Sequence, residues 1–131
     1  MGFEILIVDD DEKLVDVLAA VLTSTGCAVT TAPSGPDALR LLDTRRFGLI
    51  LADLRMPKMD GVRLLKTIPL FQSDAKVVLM SAYITEDSLA DAMNNGVYDC
   101  LRKPFTLAEL RAVVDRAQSE TERAARSREE G

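Results

Sequence analysis

Asp9-Asp10-Asp11, Asp53, Ser81 and Lys103 are the residues of this chain whose types could do chemistry together. Each follows a predicted strand: the short apolar runs Ile5-Leu6-Ile7-Val8, Phe47-Gly48-Leu49-Ile50-Leu51-Ala52 and Val77-Val78-Leu79-Met80, and the mixed segment Tyr98 to Arg102. Runs this short, bounded by turn residues, read as buried strands. If the strands lie parallel in one sheet, their carboxyl ends bring carboxylates, a hydroxyl and an amine to one edge. Two or three carboxylates held close repel one another unless something neutralises them. A divalent cation does so, and an all-oxygen donor set favours a hard ion, magnesium or calcium, over zinc or copper. Few protein ligands at an open edge favour magnesium, which keeps waters and shares a phosphate. Helix N-capping accounts for one aspartate of the run, Asp11, and less well for three. Lys103 sits between a strand and Pro104-Phe105, which fixes where it points.

The elements that must position these residues alternate along the chain. After Ile5–Val8, the residues Leu14, Val17, Leu18, Val21 and Leu22 recur at helical spacing, with Gly26 as a C-cap. Ala28–Thr31 is a weaker strand suited to a sheet edge. Ser34-Gly35-Pro36-Asp37 starts a helix with Ala38, Leu41 and Leu42 inward. Phe47–Ala52 is apolar on both faces, as a central parallel strand is. Met56-Pro57 turns the chain, and Gly61 precedes a helix with Val62, Leu65 and Ile68 inward, stopped by Pro69. Val77–Met80 follows, then a helix from Thr85-Glu86-Asp87 to Asn94-Asn95-Gly96, then Tyr98–Arg102. Thr106 with Glu109 is a capping box, and Leu107, Leu110, Val114 and Ala117 carry the last helix. Five strand–helix units predict one parallel sheet with right-handed crossovers and helices on both faces, an α/β doubly wound fold.

Composition removes several classes of function. A chain of 131 residues, 47% apolar, makes one domain with a real core. Sixteen basic against twenty-one acidic residues give a net charge of −5, a poor match for direct nucleic-acid binding. There is no histidine, so there is no Ser-His-Asp triad, no His-ligated zinc and no phosphohistidine on this chain. Two cysteines, Cys27 and Cys100, read as reduced thiols of a cytoplasmic protein. No run reaches the length of a membrane span, and the N-terminus carries no signal-peptide or myristoylation pattern. The segment 118–131 is polar, with four acidic and three basic residues. It reads as a helical extension fraying into solvent, or as a linker, beyond a domain over 1–117.

Val8-Asp9-Asp10, the string Asp53-Leu54-Arg55-Met56-Pro57-Lys58-Met59-Asp60-Gly61, Ser81-Ala82 and Lys103-Pro104-Phe105 together resemble the receiver (response-regulator) domain of two-component signalling. The match runs in the family's order from about Ile5 to Ala117. It implies a flavodoxin-like sheet of order 2-1-3-4-5. It implies that Asp53 accepts a phosphoryl group from a sensor histidine kinase. Asp10, Asp53 and the backbone carbonyl of Arg55 would ligate Mg2+ directly, with Asp9 acting through a metal-bound water. Ser81 and Lys103 would each contact a phosphoryl oxygen. The surface of the fourth helix, fifth strand and fifth helix would then change its partner preference, including a possible homodimer. An output domain C-terminal to this chain is a further expectation.

The chain departs from the family at Cys100, where the family usually has Tyr or Phe three residues before the lysine. Cysteine cannot supply the volume of a ring that turns inward. Tyr98, two residues earlier, is expected on the same strand face as a possible substitute. Arg55 and Tyr83 are expected to frame the site entrance and set water access. Two other readings compete. A haloacid-dehalogenase-type phosphatase is imitated by Asp9-x-Asp11, but Lys13 and the missing late acidic pair argue against it. A receiver-shaped interaction module without phosphoryl chemistry is the second. A nucleotide-binding domain lacks its Gly-rich loop after the first strand.

Overall fold

A computed structural model describes residues 2–130. Five strands, β1 (Glu4–Val8), β2 (Ala28–Ala32), β3 (Leu49–Asp53), β4 (Lys76–Ser81) and β5 (Asp99–Arg102), form one parallel sheet of order β2-β1-β3-β4-β5. The helices are α1 (Glu12–Ser24), α2 (Gly35–Leu42), α3 (Gly61–Thr67), α4 (Glu86–Asn94) and α5 (Leu107–Glu130). A 3₁₀ turn over Ile68–Leu70 follows α3, with Pro69 inside it. The order reverses between β1 and β3, which leaves a crevice at their carboxyl ends.

The period of two along each strand divides the core. Ile5, Ile7, Leu49, Leu51, Val78 and Met80 pack beneath α1 and α5. Leu6, Val8, Ile50, Ala52, Val77 and Leu79 pack beneath α2, α3 and α4. Both faces of the central strands are thus covered, which explains their unbroken apolar runs.

The helix caps follow the residues predicted for them. Asp11 accepts the Leu14 N–H at 3.2 Å and Ser34 the Asp37 N–H at 3.3 Å. Thr106 accepts the Glu109 N–H at 3.1 Å, and the Glu109 carboxylate accepts the Thr106 hydroxyl at 3.3 Å. Thr85 and Ser88 form a full capping box at α4, where the sequence reading named only a helix start.

Some inward stripes shift. Val17 and Leu107, read as core from spacing, are 56% and 52% exposed, and Val15 and Val113 are buried instead. In α1 the buried residues Val15, Leu18 and Leu22 trace a narrower stripe than the spacing of all apolar residues suggests. The strand over Phe47–Ala52 begins at Leu49; the buried Phe47 donates its N–H to Gln72 Oε1 at 3.0 Å. Tyr98 precedes β5 rather than opening it. The polar segment after Ala117 continues α5 without a break as far as Glu130.

Candidate functional site

The carboxyl ends of β1, β3, β4 and β5 carry the predicted residues to one edge. Asp53 ends β3 on the side of Leu49 and Leu51, and Lys103 follows Leu101 by two, so the alternation sends both toward the face of α1 and α5. Asp9 extends β1, its N–H donating to Ala32 O at 3.2 Å. One carboxylate oxygen from each of Asp9, Asp10 and Asp53 lies within 4.8 Å of the others. Asp9 is buried, Asp53 half-buried and Asp10 exposed.

Lys103 closes the cluster. Its Nζ donates to Asp9 Oδ2 at 2.8 Å and stands 3.4 Å from Asp53 Oδ2. Asp9 Oδ1 is occupied separately by the Asp11 N–H at 3.0 Å, and Asp53 Oδ1 accepts the Arg55 N–H at 3.2 Å. Burial pushes the Asp53 carboxyl above the ordinary carboxylate range; the Arg55 N–H opposes this, Asp9 adds to it and Lys103 opposes it. Burial works against the charge on Lys103, but its hydrogen bond to Asp9 and the two carboxylates outweigh that and hold its pKa above the usual value. The arrangement is a partly neutralised acidic pocket: three carboxylates against one ammonium.

These donors suit a hard cation. All three are carboxylate oxygens, and neither His nor Cys is among them. Asp10 is the exposed member and so leaves the cluster open to solvent on one side.

Ser81 is buried at the end of β4, and its hydroxyl accepts the Tyr83 N–H at 3.0 Å. It pairs in register with Arg102, one residue before Lys103. Its parity is that of Val77 and Leu79, so it borders the α4 side of the sheet rather than the carboxylates. Arg55 and Tyr83 meet across the site: the guanidinium carbon lies 5.0 Å from the ring centroid. Both line a groove of about 490 Å³ between α3 and α4 that also borders Asp60 and Thr85.

Cys100 and Tyr98 do not share a face. Cys100 packs with the cluster under α2, α3 and α4, beside Leu79, Leu89 and Ala92. Tyr98 packs with the cluster under α5, and its hydroxyl donates to Glu120 Oε2 at 2.7 Å. The expectation of a common face fails because Tyr98 lies outside β5, where the strict alternation of a strand does not apply. Burial, then the neighbouring Asp99, raises the Cys100 thiol above its ordinary pKa. Cys27 is buried in the α1 and α5 layer, and both cysteines are free.

Gly61 is a part of the site that motif reading alone does not explain. A Cβ there would lie 2.6 Å from Asp53 O and 2.8 Å from Leu54 Cα. The Gly61 N–H donates to Leu54 O at 2.9 Å, and Asp60 caps α3 through the Arg63 N–H at 2.8 Å. The start of α3 is therefore pressed against the end of β3 and holds the Asp53 backbone. The loop between them carries Lys58 at φ +72°, and the Lys103–Pro104 peptide is cis.

A doubly wound 2-1-3-4-5 sheet with this cluster at its carboxyl edge defines the class: a flavodoxin-like domain built as receivers are. The family model described as the response regulator receiver domain matches residues 5–115, and the chain belongs to that family, which serves two-component systems. It is 42% identical over 113 residues to the DNA-binding transcriptional regulator NtrC of Klebsiella pneumoniae, covering 86% of this chain and 24% of that protein. It is 36% identical over 120 residues to the transcriptional regulatory protein ZraR of Escherichia coli O157:H7, covering 92% of this chain and 27% of that protein. The chain thus spans about a quarter of the length of the curated relatives it matches. Among solved structures, a two-component response regulator from Clostridium difficile superposes with a TM-score of 0.87 at 26% identity, covering 92% of this chain and 98% of that one. The chemotaxis protein CheY4 of Vibrio cholerae gives 0.83 at 25%, covering 89% and 99%. Among the described residues, no helix is long and apolar enough to cross a membrane.

Proposed function

We propose that this receiver domain accepts a phosphoryl group on Asp53 from the phosphohistidine of a sensor histidine kinase, in the cytoplasm. The observation that carries the reading is the convergence of Asp9, Asp10 and Asp53 within 4.8 Å, with Lys103 against two of them.

The Asp53 oxygen attacks phosphorus, the bond from phosphorus to the donor breaks, and the donor leaves with the electron pair. The product is an acyl phosphate, which water hydrolyses back to the carboxylate. Lys103 moves from its carboxylate partners to a phosphoryl oxygen and offsets the charge that gathers there. The Ser81 hydroxyl donates to another phosphoryl oxygen. Asp10, Asp53 and the Arg55 carbonyl are the direct ligands we assign to Mg2+, with Asp9 acting through a water. When bound there, Mg2+ would supply charge neutralisation and help align donor with acceptor. Arg55 and Tyr83, stacked at the entrance, limit the water that reaches the acyl phosphate and so set its lifetime.

The output follows from new charge at the end of β3. Ser81 turns toward it, the loop after β4 follows, and the α4-β5-α5 surface changes its partner or dimer preference. Because Cys100 offers no ring, and Tyr98 is tied to α5, this chain carries the switch through Ser81 and the backbone. Relatives named as transcriptional regulators, of which this chain spans about a quarter, support an output domain C-terminal to the chain; the net charge of −5 speaks against nucleic acid bound by the receiver itself. The alternative, an interaction module without phosphoryl chemistry, has in its favour only Cys100 at the ring position.

The test is intact-mass spectrometry after incubation with acetyl phosphate, with and without Mg2+. One added phosphoryl group is expected, dependent on Mg2+ and absent in Asp53→Asn. An adduct of equal size in Asp53→Asn overturns the assignment.

A further inference from the structure

The polar network at the opposite end of the sheet from Asp53 involves none of the residues assigned above to phosphoryl chemistry. Tyr98 Oη donates to Glu120 Oε2 at 2.7 Å and accepts from Arg116 Nε at 3.1 Å. Arg116 Nη2 donates to Asp99 Oδ2 at 2.6 Å. Lys76, the first residue of β4, donates to Thr121 Oγ1 at 3.3 Å, and its Nζ lies 5.7 Å from the centre of the Tyr98 ring. Arg116 lies over the same ring at 5.2 Å. Two cations, one ring and two carboxylates thus join the starts of β4 and β5 to two consecutive turns of α5.

The network coincides with a change in burial. Ala117 is the last buried residue of α5; Gln118, Glu120 and Thr121 are partly covered, and 122–129 are exposed. Ala117 is thus the last core residue of α5, and the side-chain bonds that tie the next turn to the sheet are those of Glu120 and Thr121. A polar turn beyond the last packed residue of a helix frays readily in water, and the contacts of Glu120 and Thr121 set 118–121 apart from the exposed residues that follow.

We propose that Lys76, Tyr98, Asp99, Arg116, Glu120 and Thr121 form a strap that docks the extension of α5 on the β4–β5 edge. The folded domain then runs through Thr121, and the helix beyond it leaves in a direction fixed by that edge. Whatever follows residue 121 is carried rigidly by the two strands whose far ends hold Ser81 and Lys103. The strap needs no phosphoryl chemistry, so it stands or falls apart from the reading of Asp53.

Hydrogen exchange on the chain as it is, without phosphodonor, tests it. Amides of 118–121 are expected to exchange at least ten-fold more slowly than those of 125–129. In Tyr98→Phe, which keeps the ring and loses both hydroxyl contacts, their exchange is expected to rise several-fold while β3 amides stay unchanged. Glu120→Ala, a change on the helix surface, is expected to do the same and decides the matter if Tyr98→Phe loosens the whole fold. Equal exchange across 118–129 in the parent chain, or no change at 118–121 in Glu120→Ala, overturns the proposal.

Discussion

Lys103 Nζ lies 2.8 Å from Asp9 Oδ2 and 3.4 Å from Asp53 Oδ2, so the ammonium is bonded to the buried carboxylate and poised beside the proposed acceptor. Asp9 is fully buried at its side chain and needs a counter-charge in the absence of a metal ion. Lys103→Met should therefore destabilise the metal-free chain by about 2 kcal/mol in urea denaturation. Added Mg2+ should recover part of that loss. Equal stability of the variant and parent without metal would show that the pair contributes nothing.

Asp53 titrates with the opposite sign to a paired surface carboxylate. Burial, reinforced by Asp9, raises its folded-state pKa despite the Arg55 N–H and Lys103. The folded state then holds that proton more tightly than the unfolded state does. Its stabilising contribution is present below the unfolded pKa and is lost as pH rises through the folded one. At neutral pH and without Mg2+, Asp53→Asn should raise the thermal midpoint by a few degrees. That advantage should shrink on acidification to pH 4 and below. A variant less stable than the parent at pH 7 would contradict this.

Gly61 ties the start of α3 to the end of β3. In Gly61→Ala the new methyl must displace backbone at Asp53 and Leu54 rather than the end of a flexible side chain. A loss of roughly 1–3 kcal/mol is expected. The rate of labelling by acetyl phosphate should also fall, because the displaced atoms carry the proposed nucleophile. Unchanged stability and labelling would show that α3 can shift without moving Asp53.

Cys100 should behave as a poor nucleophile. Burial and Asp99 hold its thiol above the ordinary range, so alkylation of the folded chain should be slow at pH 7 and rise only in clearly alkaline solution. Rapid modification of Cys100 at pH 7 would contradict that environment. Cys100→Phe should be accommodated by the groove of about 400 Å³ between α4 and β5, lined by Ile84, Leu89, Met93 and Val97. With a ring restored, coupling between beryllofluoride binding at Asp53 and dimerisation or partner binding should strengthen. Unaltered coupling would show that position 100 has no part in the switch.

Much of this was legible from the sequence because the chemistry lies at strand ends, and strand ends are marked by a change from apolar to polar residues. Asp9, Asp53 and Ser81 each stand at such a change, Lys103 follows the end of β5 directly, and the parallel alternation brings all four to one edge. Asp11 and Thr106 were legible as caps for the same local reason. The failures have physical causes of a different kind. Val17 and Leu107 are apolar yet exposed, because spacing marks the apolar residues of a helix and packing chooses among them. Spacing puts Tyr98 on the face of Cys100 only if β5 includes it; the strand begins at Asp99, and outside it the period of two no longer fixes the side chain. The contacts of Tyr98 with Glu120, and of Lys76 with Thr121, join residues far apart in the chain and carry no local signature.

The most direct test of the central claim is to trap the acyl phosphate. Borohydride reduces an aspartyl phosphate to homoserine, and a peptide map after acetyl phosphate and Mg2+ treatment locates it. The account predicts homoserine at position 53 and at no other aspartate. Homoserine at position 9, as the phosphatase reading requires, or at position 10 would contradict it.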